Sequence, residues 1–210
     1  MSQRKTMLNV ISSFPYEKIR EPQKKILEFA EEEFINKGKR FLIIEAGTGV
    51  GKSAIGFTIA KHMERRLGAS SYFLTTQKIL QEQYVGDFSK LGMKSIKSST
   101  NYKCRYKKHI SCSQGQTEIR TEEKGTKFWN ACTFNCTYKK AKQDFIDSPL
   151  AVTNFPYLLT ESNYSGKIKP RQLLIMDEAH NVETELSKFI EVSVSEKFCK
   201  MALKLKLPVL

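Results

Sequence analysis

The stretch from Ile43 to Ala54, IIEAGTGVGKSA, combines three glycines with one lysine and one serine hydroxyl. Glycines at 47, 49 and 51 reach backbone angles that other residues avoid, so the loop can turn its N–H groups toward an anion. A helix that begins near Lys52 would point the positive end of its dipole at the same place. Lys52 would then contact the β- and γ-phosphates of a nucleotide, and Ser53 would give an oxygen to Mg²⁺.

This pattern is that of a phosphate-binding loop, or P-loop, with Ala46 where its first glycine usually stands. The apolar run from Phe41 to Ile44 predicts a strand before the loop, and the residues after it predict a helix to about Leu67. A glycine-rich turn without a ligand is the alternative interpretation. We predict that the loop binds ATP or GTP. Its residues are Ala46, Gly47, Thr48, Gly49, Val50, Gly51, Lys52 and Ser53.

A second motif, LLIMDEAH, places two acids directly after an apolar run that starts at Leu173. In a parallel α/β sheet, ligands gather at the carboxyl ends of the strands, which would bring these acids beside the P-loop. Asp177 would hold Mg²⁺, and Glu178 would orient and polarise the attacking water. A simple helix cap is the alternative use of such acids. The predicted catalytic residues are Lys52, Asp177 and Glu178.

Four of the five cysteines lie between the two motifs, separated by seven, nineteen and three residues. They are Cys104, Cys112, Cys132 and Cys136. Iron–sulfur clusters and Zn²⁺ both prefer thiolate ligands, so spacing alone does not separate them. The absence of a C-x2-C pair argues mildly against zinc. Cys199 stands apart and is predicted to be an apolar helix residue.

Lysines, arginines and aromatic residues surround these cysteines. Cations that follow phosphates and rings that stack on bases are the two parts of sequence-tolerant single-strand binding. Packing of the rings around the cysteines is the alternative, because so small a segment needs a core. We expect both uses, and we predict that Arg105 and Lys107 or Lys108 face DNA.

The elements needed to position these residues alternate along the chain. The pattern predicts a helix from about Tyr16 to Phe34, and further strands are predicted at Tyr72 to Thr75, Pro149 to Asn154 and Arg171 to Asp177. A helix is expected from Lys78 to about Leu91. This order indicates an α/β fold with a parallel sheet, interrupted by an insert at residues 101–147.

Composition is consistent with a globular protein that binds polyanions. The chain has 210 residues, 40% hydrophobic content and a formal net charge of +13, so it can form a core and attract nucleic acid. A merely solvated basic surface is the alternative. No apolar run approaches the roughly 18 residues that span a bilayer. We therefore expect no membrane partner and a cytoplasmic protein, or a nuclear one in a eukaryote.

Taken in order, these motifs resemble those of the superfamily 2 helicases, and more closely of the iron–sulfur helicases typified by XPD and DinG. DEAH is motif II of that family, FPYEKIREPQ is similar to its adenine-reading segment, FLTTQKILQEQY to its motif Ia, and STNYKC to the approach to its first cluster cysteine. The resemblance implies a RecA-like motor domain. It also implies that Gln23 reads adenine and that Thr75 and Thr76 contact the DNA backbone.

The same resemblance implies ATP, Mg²⁺ and a 4Fe–4S cluster on the four cysteines as cofactors. It implies a monomer that acts on single-stranded or fork DNA and unwinds it with 5′ to 3′ polarity. Residues 1–100 and 148–182 would form motor domain 1, residues 101–147 the cluster insert, and residues 183–210 the start of a helical insertion.

Helicases of this kind hydrolyse ATP between two motor domains, and the second one is expected to be missing from these 210 residues. We therefore expect an N-terminal portion of a helicase with weak or no ATPase activity alone. A natural protein that binds ATP and DNA without unwinding is one alternative. A zinc-binding nucleic-acid module with a structural P-loop is another.

Overall fold

The computed structural model describes residues 9–164 and 166–190. The predicted helix beyond residue 190, the assignment of Cys199 and most of the predicted helical insertion lie outside the described residues. Within them the fold is α/β, as predicted, and is built on one parallel sheet.

The sheet has four strands: β1 (Ser71–Thr75), β2 (Lys94–Ser95), β3 (Leu150–Asn154) and β4 (Leu173–Met176), in the order β2-β3-β1-β4. Every pairing is parallel, with Ser71 opposite both Leu150 and Leu173. β1 is buried along its whole length and lies between β3 and β4. The carboxyl ends of the strands therefore meet at one edge of the sheet, where ligands of α/β proteins bind.

Helices pack on both faces of this sheet, and further helices form the insert. They are α1 (Glu21–Phe29), α2 (Lys52–Leu67), α3 (Lys78–Phe88), α4 (Cys112–Glu118), α5 (Lys127–Phe134), α6 (Thr137–Asp147), α7 (Phe155–Tyr164) and α8 (Val182–Ile190). The main core lies against α1, α2 and α3 and includes Phe57, Phe73 and Phe88. The rings of Phe57 and Phe88 stack with centroids 4.3 Å apart. No described helix combines the length and apolar character needed to cross a membrane.

The first helix differs from its predicted bounds at both ends. It begins at Glu21 rather than Tyr16, because Arg20 is extended and Pro22 suits only the first turn of a helix. After Phe29 the chain continues as a π-helix, Ala30–Asn36, in which the Lys37 amide donates to the Glu32 carbonyl at 3.0 Å. The predicted helix is therefore confirmed in its middle part, and the helical chain continues past the predicted end at Phe34.

The predicted strand at Phe41 to Ile44 is not a strand in the structure. Its side chains alternate as in a strand: Leu42 and Ile44 pack on the main core, whereas Phe41 and Ile43 are 80% and 91% exposed. A strand also needs a neighbour for its hydrogen bonds, and none of the described strands pairs with this segment. The segment thus has the side-chain alternation of a strand, and the lack of a partner among the described strands explains why no strand forms.

The insert is helical and has its own small core. This core is formed by Cys104, Ile110, Phe128 and Cys132. α6 belongs to the main body as well, because Phe145 is fully buried in a second core cluster beside β3. The assignment of residues 101–147 to an insert stays a prediction.

Candidate nucleotide and nucleic-acid site

The predicted P-loop lies directly before α2. Gly49 and Gly51 have φ angles of 78° and 88°, in the region that favours glycine. α2 begins at Lys52, and no side chain caps its amino end. The Lys52 ammonium group donates to the Ala46 carbonyl at 3.0 Å. The lysine is therefore turned back over its own loop, where phosphates would meet both its charge and the free N–H groups of the helix end.

Gln23 supports this loop from α1. It is 3% exposed, its amide nitrogen donates to the Val50 carbonyl at 2.8 Å, and its amide oxygen accepts from the Arg20 N–H at 2.9 Å. Both polar atoms thus have backbone partners. Adenine reading by Gln23 stays a prediction, and it would require these bonds to be exchanged for bonds to the base.

A side chain at Gly51 would force Gln23 to move. A Cβ there would lie 2.6 Å from the Gln23 amide nitrogen. We expect Gly51→Ala to lower the free energy of unfolding by about 1 kcal/mol more than Gly49→Ala, because the Gln23 bond to Val50 is also lost. Gly49 is the matched control, since its φ is similarly positive but nothing lies within 4 Å of its Cβ position. Chemical denaturation of both variants measures the difference, and equal losses would contradict the predicted clash.

Arg20 is a candidate site residue that sequence reasoning missed. Its guanidinium donates to the Gly49 carbonyl at 2.7 Å. Together with Pro22, Thr48 and Val50 it lines a shallow cavity of about 260 Å³ beside the P-loop. A guanidinium can stack on a planar base, so Arg20 is suited to contact the base of a bound nucleotide. The sequence feature that could have indicated this role is the position of Arg20, an always charged residue, three places before Gln23.

The two acids of the second motif lie at the carboxyl end of β4. The Asp177 N–H donates to the Leu74 carbonyl at 2.9 Å, which continues the pairing with β1. The Glu178 N–H donates to Asp177 Oδ1 at 3.0 Å. Glu178 has φ 54° and ψ 48° and is the single non-glycine residue with positive φ in the described chain. Its carboxylate lies 3.4 Å from His180 Nδ1.

Tyr84 on α3 connects the two motifs. Its hydroxyl donates to Asp177 Oδ2 at 3.2 Å. The Ser53 side chain is near enough to the same hydroxyl to oppose the rise of its pKa. Burial and then the Asp177 carboxylate raise the pKa of Tyr84 well above its ordinary value, so the hydroxyl stays protonated and can donate. The structure therefore brings together Ser53 and Asp177, the two predicted Mg²⁺ ligands. Nothing in the sequence pattern singled out Tyr84.

All four predicted cysteine ligands are buried, as free thiols, in and beside the insert core. Gly115 packs against two of them, since a Cβ there would lie 3.4 Å from Cys132 Sγ and 3.6 Å from Cys104 Sγ. Burial raises the pKa of Cys132 to about 12, and the neighbouring Cys104 sulfur contributes to the same increase. A bound metal group would thus have to displace thiol protons.

The donor set suits a group that prefers soft thiolate ligands. However, no three or more histidine, cysteine or acidic side chains of the described chain are arranged to hold a metal ion. What the structure shows is a cluster of buried thiols, and ligation by them stays a prediction.

The predicted DNA contacts fall into two groups. Arg105 and Lys108 are exposed on the insert, whereas Lys107 bonds Glu118 at 2.7 Å. Thr75 has no exposed surface, and its hydroxyl donates to the Gln77 carbonyl at 3.1 Å. Thr75 is therefore buried at the end of β1, which is buried along its whole length, and its predicted contact with the DNA backbone stays a prediction. Thr76 is partly exposed.

Comparison with known proteins agrees with this geometry. The family model described as type III restriction enzyme, res subunit, matches residues 16–207. A Methanocaldococcus jannaschii protein named "Probable ATP-dependent helicase" is 29% identical over 203 residues, an alignment that covers 82% of this chain and 30% of that protein. The chain thus spans less than a third of that relative's length. No solved structure matches. The chain belongs to the family of the type III restriction enzyme res subunit and is a member of helicase superfamily 2.

Proposed function

We propose that this chain is the ATP-binding motor domain of an ATP-dependent nucleic-acid helicase. The observation that carries the proposal is the convergence of Ser53 and Asp177 on one hydroxyl, beside a loop into which Lys52 is turned. A P-loop used only as a structural turn would not need an acid from a separate strand at its serine. Membership of helicase superfamily 2 supports the same assignment.

The residues of this site fit Mg²⁺ and a nucleoside triphosphate. Ser53 and Asp177 offer the hydroxyl and carboxylate oxygens that Mg²⁺ prefers. Ser53 lies in the first turn of α2, where a triphosphate would sit, and Asp177 follows β4. Lys52 would pair with the β- and γ-phosphates, and Mg²⁺ would neutralise charge on them. Glu178 would orient the attacking water.

Hydrolysis needs more than this domain in related enzymes. Stabilising charges from a second domain raise the rate by about 10³ to 10⁵ in related nucleotide hydrolases. We therefore propose that residues 1–210 bind ATP and DNA, turn ATP over slowly at most, and do not unwind DNA. Unwinding would belong to a longer protein that contains a second motor domain.

The finer assignment is to helicases of the XPD and DinG type. The buried thiols of Cys104, Cys112, Cys132 and Cys136 support it. Cys104 and Cys132 lie in one small core, and the other two are near enough to contribute to the raised pKa of Cys132. We propose that they hold a 4Fe–4S cluster, whose bonds to the four sulfurs would stabilise the fold of the insert. Unwinding from 5′ to 3′ in DNA repair or replication is the corresponding proposal for a full-length protein.

Calorimetric titration with a non-hydrolysable ATP analogue tests the proposed function. The chain should bind the analogue in the presence of Mg²⁺ and more weakly in EDTA. A GTP analogue should bind less well if Gln23 or Arg20 contacts adenine. No binding of either nucleotide would remove the motor-domain assignment and leave the nucleic-acid module with a structural P-loop.

Single-stranded DNA should bind to the insert in a salt-dependent manner, because Lys and Arg contacts release counterions. We expect joint replacement of Arg105, Lys107 and Lys108 by alanine to reduce the slope of log affinity against log salt by about two, at roughly 0.7 per lost phosphate contact. Lys107 should contribute least, since it is already paired with Glu118. Fluorescence anisotropy of a labelled oligonucleotide measures this slope.

A control variant loses the same number of positive charges from a surface outside the insert. Lys24, Lys25 and Lys90 are exposed on the main body, outside the insert. Their joint replacement by alanine should leave the salt slope nearly unchanged. Equal slopes for the two triple variants would show that net charge, and not the insert surface, governs binding.

A further inference from the structure

Tyr84 occupies an unusual position between the two nucleotide motifs. It is 93 residues away from Asp177 in the sequence, yet its hydroxyl donates to that carboxylate at 3.2 Å. The Ser53 side chain interacts with the same hydroxyl. The tyrosine is only 3% exposed, and its ring packs on Phe73 and Phe88 with centroids 5.5 Å and 5.9 Å away. The hydroxyl is therefore held by a rigid aromatic core.

The carboxylate of Asp177 is fixed at both oxygens. Oδ1 accepts the Glu178 N–H at 3.0 Å, and Oδ2 accepts the Tyr84 hydroxyl at 3.2 Å. A carboxylate has about four lone-pair positions, so two such bonds set its plane and still leave positions free for a cation. Without the Tyr84 hydroxyl, only the bond from the Glu178 N–H would hold the carboxylate, and Oδ2 would lose its fixed position.

We propose that Tyr84 is a positioning residue for Mg²⁺, whose hydroxyl holds the Asp177 carboxylate in place next to Ser53. The inference rests on the proposed function, because it deepens the assignment of that same site. Tyr84 would not touch the nucleotide. It would act through the two residues that we assign to the metal.

The alternative is that the hydroxyl only satisfies a buried polar contact. The two roles differ in what they do to metal dependence. Partners that orient metal ligands typically change metal affinity by about 10- to 100-fold when they are removed. A purely structural bond would change the stability of the fold and leave the dependence on Mg²⁺ as it was.

The test is the Mg²⁺ dependence of AMP-PNP binding by the full 210-residue chain. Tyr84→Phe keeps the ring and removes the hydroxyl. We expect it to raise the half-saturating Mg²⁺ concentration about tenfold, while AMP-PNP binding in EDTA stays unchanged. Tyr157→Phe is the matched control, since it removes another buried hydroxyl, one that bonds Tyr138 at 3.0 Å. It should leave the Mg²⁺ dependence unaltered.

A double-mutant comparison tests whether Tyr84 acts through the carboxylate. In an Asp177→Asn background, Tyr84→Phe should have almost no further effect on Mg²⁺ dependence, because the group that it positions has lost its charge. Additive effects of the two substitutions would overturn the inference. So would an unchanged half-saturating Mg²⁺ concentration in Tyr84→Phe, even if its melting temperature fell. A wild-type chain without Mg²⁺-dependent binding would overturn the proposed function and this inference together.

Discussion

Lys52→Ala is expected to bind a non-hydrolysable ATP analogue with Mg²⁺ about 10- to 100-fold more weakly than the wild-type chain. The substitution removes a charge-assisted interaction with the phosphates, which contributes about 1.5 to 3 kcal/mol. In the structure the ammonium group donates to the Ala46 carbonyl of its own loop at 3.0 Å. That bond should be released when phosphates enter. Isothermal titration measures the affinity.

Lys61→Ala is the control for this variant. Lys61 lies on the same helix, α2, and bonds Glu64 at 2.7 Å. The two variants change the net charge equally, so a general electrostatic effect would weaken both. We expect only Lys52→Ala to lose affinity. Equal affinity of wild type and Lys52→Ala would contradict the assigned role of the P-loop.

Cys132→Ser is expected to reduce the iron content of anaerobically purified protein from about four atoms per chain to nearly none, since a cubane cluster takes four thiolate ligands. Cys132 lies in the insert core, and its sulfur packs next to Gly115. Loss of the cluster should also unfold the insert, because so small a core has little else to stabilise it. Metal analysis and visible absorbance measure the loss directly.

Cys199→Ser provides the control, since it removes the cysteine that lies far from the other four in the sequence. Its iron content should equal that of the wild type. About one zinc and no iron in the wild-type chain would replace the cluster with a zinc site. Wild-type protein with neither metal would contradict metal ligation by these thiols.

Local patterns were sufficient to predict the parts of the fold that depend on local chemistry. The P-loop glycines, the start of α2 at Lys52 and the acids after β4 follow from short stretches whose composition restricts the backbone. The parallel sheet followed from alternating apolar runs and polar helices. These predictions needed no knowledge of which distant residues meet.

The features that sequence reasoning missed all depend on tertiary neighbours. Phe41 to Ile44 has the side-chain alternation of a strand but lacks a pairing partner. Thr75 is buried because β1 lies in the middle of the sheet. Tyr84 and Arg20 reach the candidate site only because α3 and the residues before α1 pack beside it. A single sequence records none of these distances.

The left-handed backbone of Glu178 sets the stability of the fold against the proposed role of its carboxylate. A non-glycine residue with φ near 54° costs about 1 to 2 kcal/mol relative to an ordinary conformation. Glycine would adopt the same angles without this steric cost, yet it would supply no carboxylate. If Glu178 has the proposed role, the chain gives up part of a marginal stability to keep an acid at the end of β4. Selection for the stability of the fold alone would be expected to replace this glutamate with glycine.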